Sequence, residues 1–233
     1  MIKKKPIVNN RYSKSLKKLN VTIICDKSSW LLEYLNILTS ILIKEGHKTK
    51  IVFNPKDIIN GDILLILGFS KILNSDTLKK NISNVVVHES KLPSGKGWSP
   101  LSWQVLENKN IIPITLFEAN HKIDNGKIYI QDVIQLKGNE LVDEIRNFQA
   151  KKTIDLCLNF ISNFPQILDN GKSQKGKSSY YKKRTPLDSK IDINKSIKEQ
   201  FNLFRIVDNN RYPAYFYFKG KKYILKIIEG EYK

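Results

Sequence analysis

From Asn20 onward, short apolar runs alternate with stretches in which apolar residues recur every three or four positions. Alternation of this kind marks strands in a mostly parallel sheet with helices packed on it. Runs at 21–25, 49–53, 62–68, 84–88, 111–119 and 127–136 predict six strands, and 28–47, 74–80, 99–108 and 138–164 predict helices. The first helix should stop at Gly46, and the last carries Leu141, Ile145 and Phe148 on one face. The expected class is α/β: a doubly wound, mostly parallel sheet with a small C-terminal α+β appendage.

The pattern then breaks at Asp169–Pro186, "DNGKSQKGKSSYYKKRTP", rich in Gly, Ser and Lys and read as a linker. Beyond it, 194–208 has the spacing of an amphipathic helix, and "AYFYF" and "KYILKII" flank "KGKK" as a β-hairpin. The expected organisation is a flexible basic tail at 1–18, a main domain at 19–165, a linker at 166–185 and a small helix-plus-hairpin unit at 186–233. A chain of 233 residues is long enough for one full core and a small second unit. The exposed edge of the hairpin leaves room for a homodimer.

Charge changes this picture less than its size suggests. The net charge is +18, but only five of the 40 basic residues are Arg, the side chain that phosphate and base readers favour for its bidentate fork. No nucleic-acid partner is expected, although the field would favour an anionic substrate. No apolar run approaches the roughly 18 to 20 residues that cross a bilayer, and the start lacks the apolar stretch of a secretory signal, so no membrane partner is expected. Cys25 and Cys157 lie in apolar contexts, which reads as buried thiols in a reducing cytoplasm.

Several motifs compete to carry chemistry. "GKSQKGKS", Gly171 to Ser178, has the letters of a phosphate loop, but that loop works only between a buried strand and a helix. Three histidines supply a metal site poorly, and no metal is expected. His47 follows a helix-closing glycine and reads as a solvated side chain near a helix C-terminus. His121 lies in a loop, facing either a cofactor or solvent. His88 differs, because it ends the apolar run "NVVVH" where open α/β sheets form ligand crevices, and a loop of Pro, Gly, Lys and Trp follows it. Asp124, in the turn "IDNGK", is either turn chemistry or a carboxylate beside His88. A His and Asp pair would suit attack of an amine on an acyl carbon.

Taken together, "HESKLPSGKGWSP", "PITLFEANHKIDNGKIYIQ" and "YYKKRTPLDSKID" resemble the folate-dependent formyltransferases. These include methionyl-tRNA formyltransferase and the sugar nucleotide N-formyltransferases. The family pattern is Asn-x-His-x-Ser-Leu-Leu-Pro, an Arg-Gly and Pro loop, then Leu-Asp-x-Gly. His88, Ser90, Leu92 and Pro93 match the first element, Gly97 and Pro100 the second, and Asp124 and Gly126 the third. Val86 stands where the family has an Asn whose amide supports the oxyanion. The flavour of the His88 loop is similar to a branch acting in pseudaminic-acid-type pathways.

The resemblance implies a Rossmann-like catalytic domain that moves a formyl group from 10-formyltetrahydrofolate to the amine of a nucleotide-linked amino sugar, with UDP the expected nucleotide. It implies catalysis by His88 and Asp124. The cofactor would be read by Gly68, Phe69, Ser70, Ile72, Glu118, Ala119, Asn120 and His121. The substrate would meet Ser90, Lys91, Gly95, Lys96, Gly97, Trp98, Tyr181, Lys183 and Arg184. The alternatives are transfer to methionyl-tRNA or another amine, and a homologue that binds folate or sugar nucleotide with weakened catalysis.

Overall fold

The computed structural model describes residues 18–121 and 123–230, so the expected basic tail lies, apart from Lys18, outside the described residues. The chain runs β1 (Asn20–Ile24), α1 (Leu32–Lys44), β2 (Lys48–Val52), β3 (Gly61–Ile66), α2 (Ser75–Leu78), β4 (Asn81–His88) and β5 (Lys96–Gly97). It continues through α3 (Pro100–Leu106), β6 (Ile111–Glu118), β7 (Ile128–Gln135), α4 (Val142–Ser162), β8 (Tyr180–Tyr181), α5 (Phe201–Ile206), β9 (Ala214–Phe218) and β10 (Lys221–Leu225).

Six strands form one sheet in the order β2-β1-β3-β4-β6-β7. The first four pair in parallel. The last two run antiparallel, β6 against β4 and β7 against β6. A turn of nine residues joins β6 to β7, and so short a connection can only return the chain antiparallel.

Period-two alternation sorts the strand side chains between two cores. Ile63, Leu65 and Leu67 enter the larger one with Leu35, Leu38 and Leu42 of α1 and Cys157, Phe160 and Ile161 of α4. Leu64 and Ile66 face the opposite side, with Ile24, Val52, Ile58 and Leu73. Each fully buried Leu of α1 contributes about 1.5–3 kcal/mol by leaving water. Both long helices cover the larger core, and the smaller one is closed by α2 and a 3-10 turn at Pro55–Asp57. Cys25 and Cys157 are buried, unpaired thiols.

His47 departs from expectation, since it is buried rather than solvated. Its Nδ1 accepts the Leu19 amide at 3.2 Å, and burial lowers its pKa. The helix expected over 194–208 is reduced to α5, preceded by a 3-10 turn at Lys198–Gln200. A fully buried ion pair anchors α5. Arg205 Nη2 lies 3.1 Å from Glu140 Oε2, and its Nη1 donates to Asn110 Oδ1 at 2.9 Å. Burial works against the Glu140 carboxylate, but the amides of Lys137 and Gly138 and the Arg205 guanidinium outweigh it and hold the pKa below its ordinary value. Gly171–Ser178 forms no phosphate loop: a 3-10 turn precedes it, Lys172 pairs with Ile128, and no α-helix follows before α5.

Candidate active site

β4 delivers His88 to the end of the sheet, where β1, β3 and β4 stop together and a cleft of about 820 Å³ opens. The ring is buried and its Nε2 lies 2.8 Å from the Gly95 carbonyl oxygen. A carbonyl only accepts, so Nε2 carries the hydrogen and Nδ1 becomes the nitrogen through which neutral His88 can take a proton. Phe117 meets the ring edge-on at 6.5 Å.

Asp124 is brought to the same corner. Its Oδ2 lies 3.9 Å from His88 Nε2 and accepts the Gly97 amide at 2.9 Å. The carboxylate is therefore tied to the loop after β4, while the Gly95 carbonyl, not the carboxylate, makes the direct bond to the ring.

Two glycines make this corner geometrically feasible. A Cβ on Gly126 would lie 1.8 Å from the carbonyl oxygen of Glu118, and one on Gly97, at φ +96°, would lie 2.4 Å from that of Tyr181. Only glycine permits such approaches. The second contact is part of the short β5–β8 pairing, through which the expected linker clamps the loop after His88. Trp98 N–H also donates to the Tyr181 carbonyl.

Of the residues expected to read a cofactor, Gly68, Phe69, Ser70, Ile72, Ala119 and Asn120 line the cleft. The Ser70 amide donates to Asp26 Oδ2 at 3.0 Å, which fixes the loop after β3 against the end of β1. Glu118 and His121 do not line it. The Glu118 amide belongs to the β6–β7 turn, and His121 is exposed.

The expected substrate residues divide in the same way. Gly97, Trp98, Lys183 and Arg184 line the cleft, with Lys183 Nζ 4.8 Å from the centre of the Trp98 ring. Arg184 Nη1 and Nη2 donate to the carbonyls of Ile206 and Asp188, its Nε is buried without a partner, and burial lowers its pKa. The rest support the walls. Ser90 is buried with its hydroxyl unpaired, Lys91 is exposed, and Gly95 holds His88. The Lys96 ammonium is buried against Asn125 Oδ1 at 3.1 Å. Tyr181 stacks on Trp103 and donates its hydroxyl to Glu107 at 2.9 Å; burial and that carboxylate push its pKa up to about 12.

Sequence reasoning missed one whole wall. Arg146 and Gln149 of α4 line the cleft, with Asp208, Arg211 and Tyr212 from beyond α5. Arg146 donates to Asp208 Oδ2 at 2.8 Å and covers the Trp30 ring at 5.5 Å. Burial opposes ionisation of Asp208, but the amides of Arg211 and Asn210 and the Arg146 side chain prevail and keep its pKa low. A signal existed: Arg146, Gln149 and Thr153 recur at i, i+3 and i+7 beside apolar Val142 and Ile145, a polar stripe on the inward face. Glu89 was also overlooked, although it directly follows His88. Val86 lines the cleft as an apolar side chain and offers no donor.

Residues 54–158 match the model of a family described as formyl transferase. These residues carry β3, β4, His88 and Asp124. Over 217 residues the chain is 31% identical to the bifunctional polymyxin resistance protein ArnA of Wigglesworthia glossinidia brevipalpis, covering 84% of this chain and 33% of that protein. Methionyl-tRNA formyltransferases are matched as well, and the chain spans between a third and somewhat over half the length of these curated relatives. The structure of a protein from Mycobacterium tuberculosis described as a likely sugar N-formyltransferase superposes with a TM-score of 0.71 at 15% identity, covering 92% of this chain and 99% of that one. HypX from Aquifex aeolicus in complex with tetrahydrofolic acid superposes with a TM-score of 0.71 at 14% identity, covering 91% and 38%. The architecture is the α/β formyltransferase fold.

Proposed function

We propose that this protein is a folate-dependent N-formyltransferase that moves the formyl group of 10-formyltetrahydrofolate to the primary amine of a nucleotide-linked amino sugar. The observation that carries the reading is the meeting of His88 and Asp124, 3.9 Å apart, at the mouth of a cleft within the region that matches the formyl transferase family. The folate would lie against the loop after β3 and the turn after β6, where Gly68, Phe69, Ser70, Ile72, Ala119 and Asn120 line the wall. The solved complex of HypX with tetrahydrofolic acid supports that choice of donor.

The acceptor lies opposite. Lys183, Arg184, Arg146 and Arg211 give this side of the cleft a cationic character that suits a diphosphate, and Trp98 and Tyr212 offer faces to a base or sugar. Sugar N-formyltransferases among the structural neighbours support this class. A UDP-linked sugar of the pseudaminic-acid type is the specific form proposed, in a cytoplasmic enzyme. The hairpin of β9 and β10, with Tyr217, Phe218, Ile224 and Leu225 exposed, supports a homodimer.

In the reaction, the amine nitrogen attacks the formyl carbon, His88 takes a proton through Nδ1, and the C–N10 bond breaks as that proton passes to N10. Asp124 holds Gly97 and the Trp98 loop over the reacting carbon and places a carboxylate oxygen 3.9 Å from the ring. Val86 supplies no amide to the oxyanion, so protonated His88 and the Trp98 indole are the donors proposed there.

The net charge of +18 and the matches to methionyl-tRNA formyltransferases support charged initiator tRNA as a second acceptor. The test is incubation with 10-formyltetrahydrofolate and either UDP- or dTDP-linked 4-amino sugars or methionyl-tRNA, followed by mass. A formylated sugar, reduced at least about a hundredfold by His88→Ala, is the expected result. Formyl-methionyl-tRNA alone would transfer the reading to the second acceptor. Folate binding without any product would overturn both.

A further inference from the structure

Glu89 follows His88 directly, lines the same cleft, and has no part in the reaction as drawn so far. Its Oε1 accepts from Gln149 Nε2 of α4 at 2.7 Å, a neutral amide. From α3, Gln104 Nε2 donates to the backbone carbonyl of Glu89 at 2.6 Å and leaves the carboxyl to Gln149. Among the described residues no Lys or Arg forms an ion pair with this carboxyl. The charged groups that act on it are His88 and, more weakly, Asp124, while Arg146, one turn before Gln149, is already paired with Asp208. Burying a carboxylate costs several kcal/mol unless a cation offsets it. Glu89, half-buried, therefore faces the ligand space with a neutral amide and no cationic Lys or Arg as its direct partner.

An amine acceptor brings that partner. Primary amines of sugars circulate largely as ammonium ions, and an ammonium must lose a proton before its nitrogen can attack. We propose that Glu89 is the docking group and first proton acceptor for the substrate ammonium, an inference that rests on the formyl-transfer reading above. The ammonium N–H bond breaks and its proton passes to the Glu89 carboxylate, whose charge had drawn the cation in. The lone pair thus released forms the new N–C bond. The second amine proton goes to His88 Nδ1 and on to N10 as the C–N10 bond breaks, and Glu89 returns its proton to solvent before the next turnover. Overall one ammonium and one 10-formyl carrier give a formamide, the deformylated carrier and one proton. Burial acts in favour of this role: it raises the Glu89 pKa above the ordinary carboxylate range, towards that of the amine it must deprotonate.

Two variants test the role in the full-length protein, with a UDP-linked 4-amino sugar and 10-formyltetrahydrofolate. Glu89→Gln keeps the shape and the Gln149 contact but cannot take a proton; kcat/KM for the amino sugar should fall about a hundredfold with folate affinity unchanged. Gln149→Leu removes a donor to the carboxylate form, so the acid limb of the kcat/KM profile should move to higher pH, a displacement that a merely structural role would not produce. Glu89→Gln with kcat/KM within threefold of wild type and an unchanged pH profile would overturn this inference alone. A wild type that binds folate and formylates no amine would overturn the parent reading, and the role of Glu89 with it.

Discussion

The two sides of the cleft are held by different forces. At the His88 corner, backbone fixes everything: the Gly95 carbonyl holds the ring, the Gly97 amide holds Asp124, and Gly126 passes the Glu118 carbonyl where no side chain fits. On the cationic wall, long charged side chains do the holding. Arg146 is tied to Asp208, and Arg211 Nη2 donates to the Ser28 carbonyl at 2.7 Å. A corner built on close backbone approach tolerates little change of shape, which suits atoms that must meet a reacting carbon to within a fraction of an ångström. A wall of long, paired side chains can be re-matched to a different anion without disturbing the fold, which would suit the acceptor side of the proposed function.

The contrast breaks most sharply at Gly126. Gly126→Ala should cost about 3 kcal/mol or more in urea unfolding and abolish transfer, because the clash is with backbone rather than with a side chain that can move. An alanine variant as stable as wild type would remove steric necessity as the basis of the corner. Next in size is Arg205→Ala, which leaves the Glu140 carboxylate buried without its cation. The expected loss is about 3–5 kcal/mol, partly recovered in the double variant Arg205→Met with Glu140→Leu, where the amides of Lys137 and Gly138 still lose their acceptor. Equal losses in the single and double variants would show that packing, not charge, seats α5. The smallest effect belongs to the wall itself: Arg211→Gln should raise KM for a diphosphate-linked acceptor about tenfold at low salt, less at high salt, with kcat and folding unchanged. A fall in kcat instead would mean that the wall shares the work of the corner.

The same division decides what could be read from the chain alone. The strands, both long helices and the pair His88 and Asp124 were legible, because period-two and period-3.6 patterns and the strand-end position of a histidine are local signals. The antiparallel sense of β7 against β6 was not drawn from the pattern, although a connection too short for a crossover dictates it. His47 was misjudged because its burial depends on the Leu19 amide, 28 residues away. Tyr181, expected to face the ligand, turns its ring to Trp103 instead, and nothing in "YYKKRT" reveals which tyrosine has a flat partner across the fold. The cationic wall escaped for a similar reason. Its residues come from α4 and from the segment after α5, far apart in sequence, and only the polar stripe on α4 announced it.

The bond from Arg211 to Ser28 joins residues 183 positions apart. On a ribosome, β1 to β4 and the His88 corner emerge first, and chain segments can begin to fold as they are made. The cationic wall of the cleft is incomplete until Ile206–Tyr212 follows. A partly synthesised chain therefore carries His88 without the wall on which, in the proposed function, an acceptor would be seated, and under that reading the order of synthesis itself would keep the unfinished protein from acting on one.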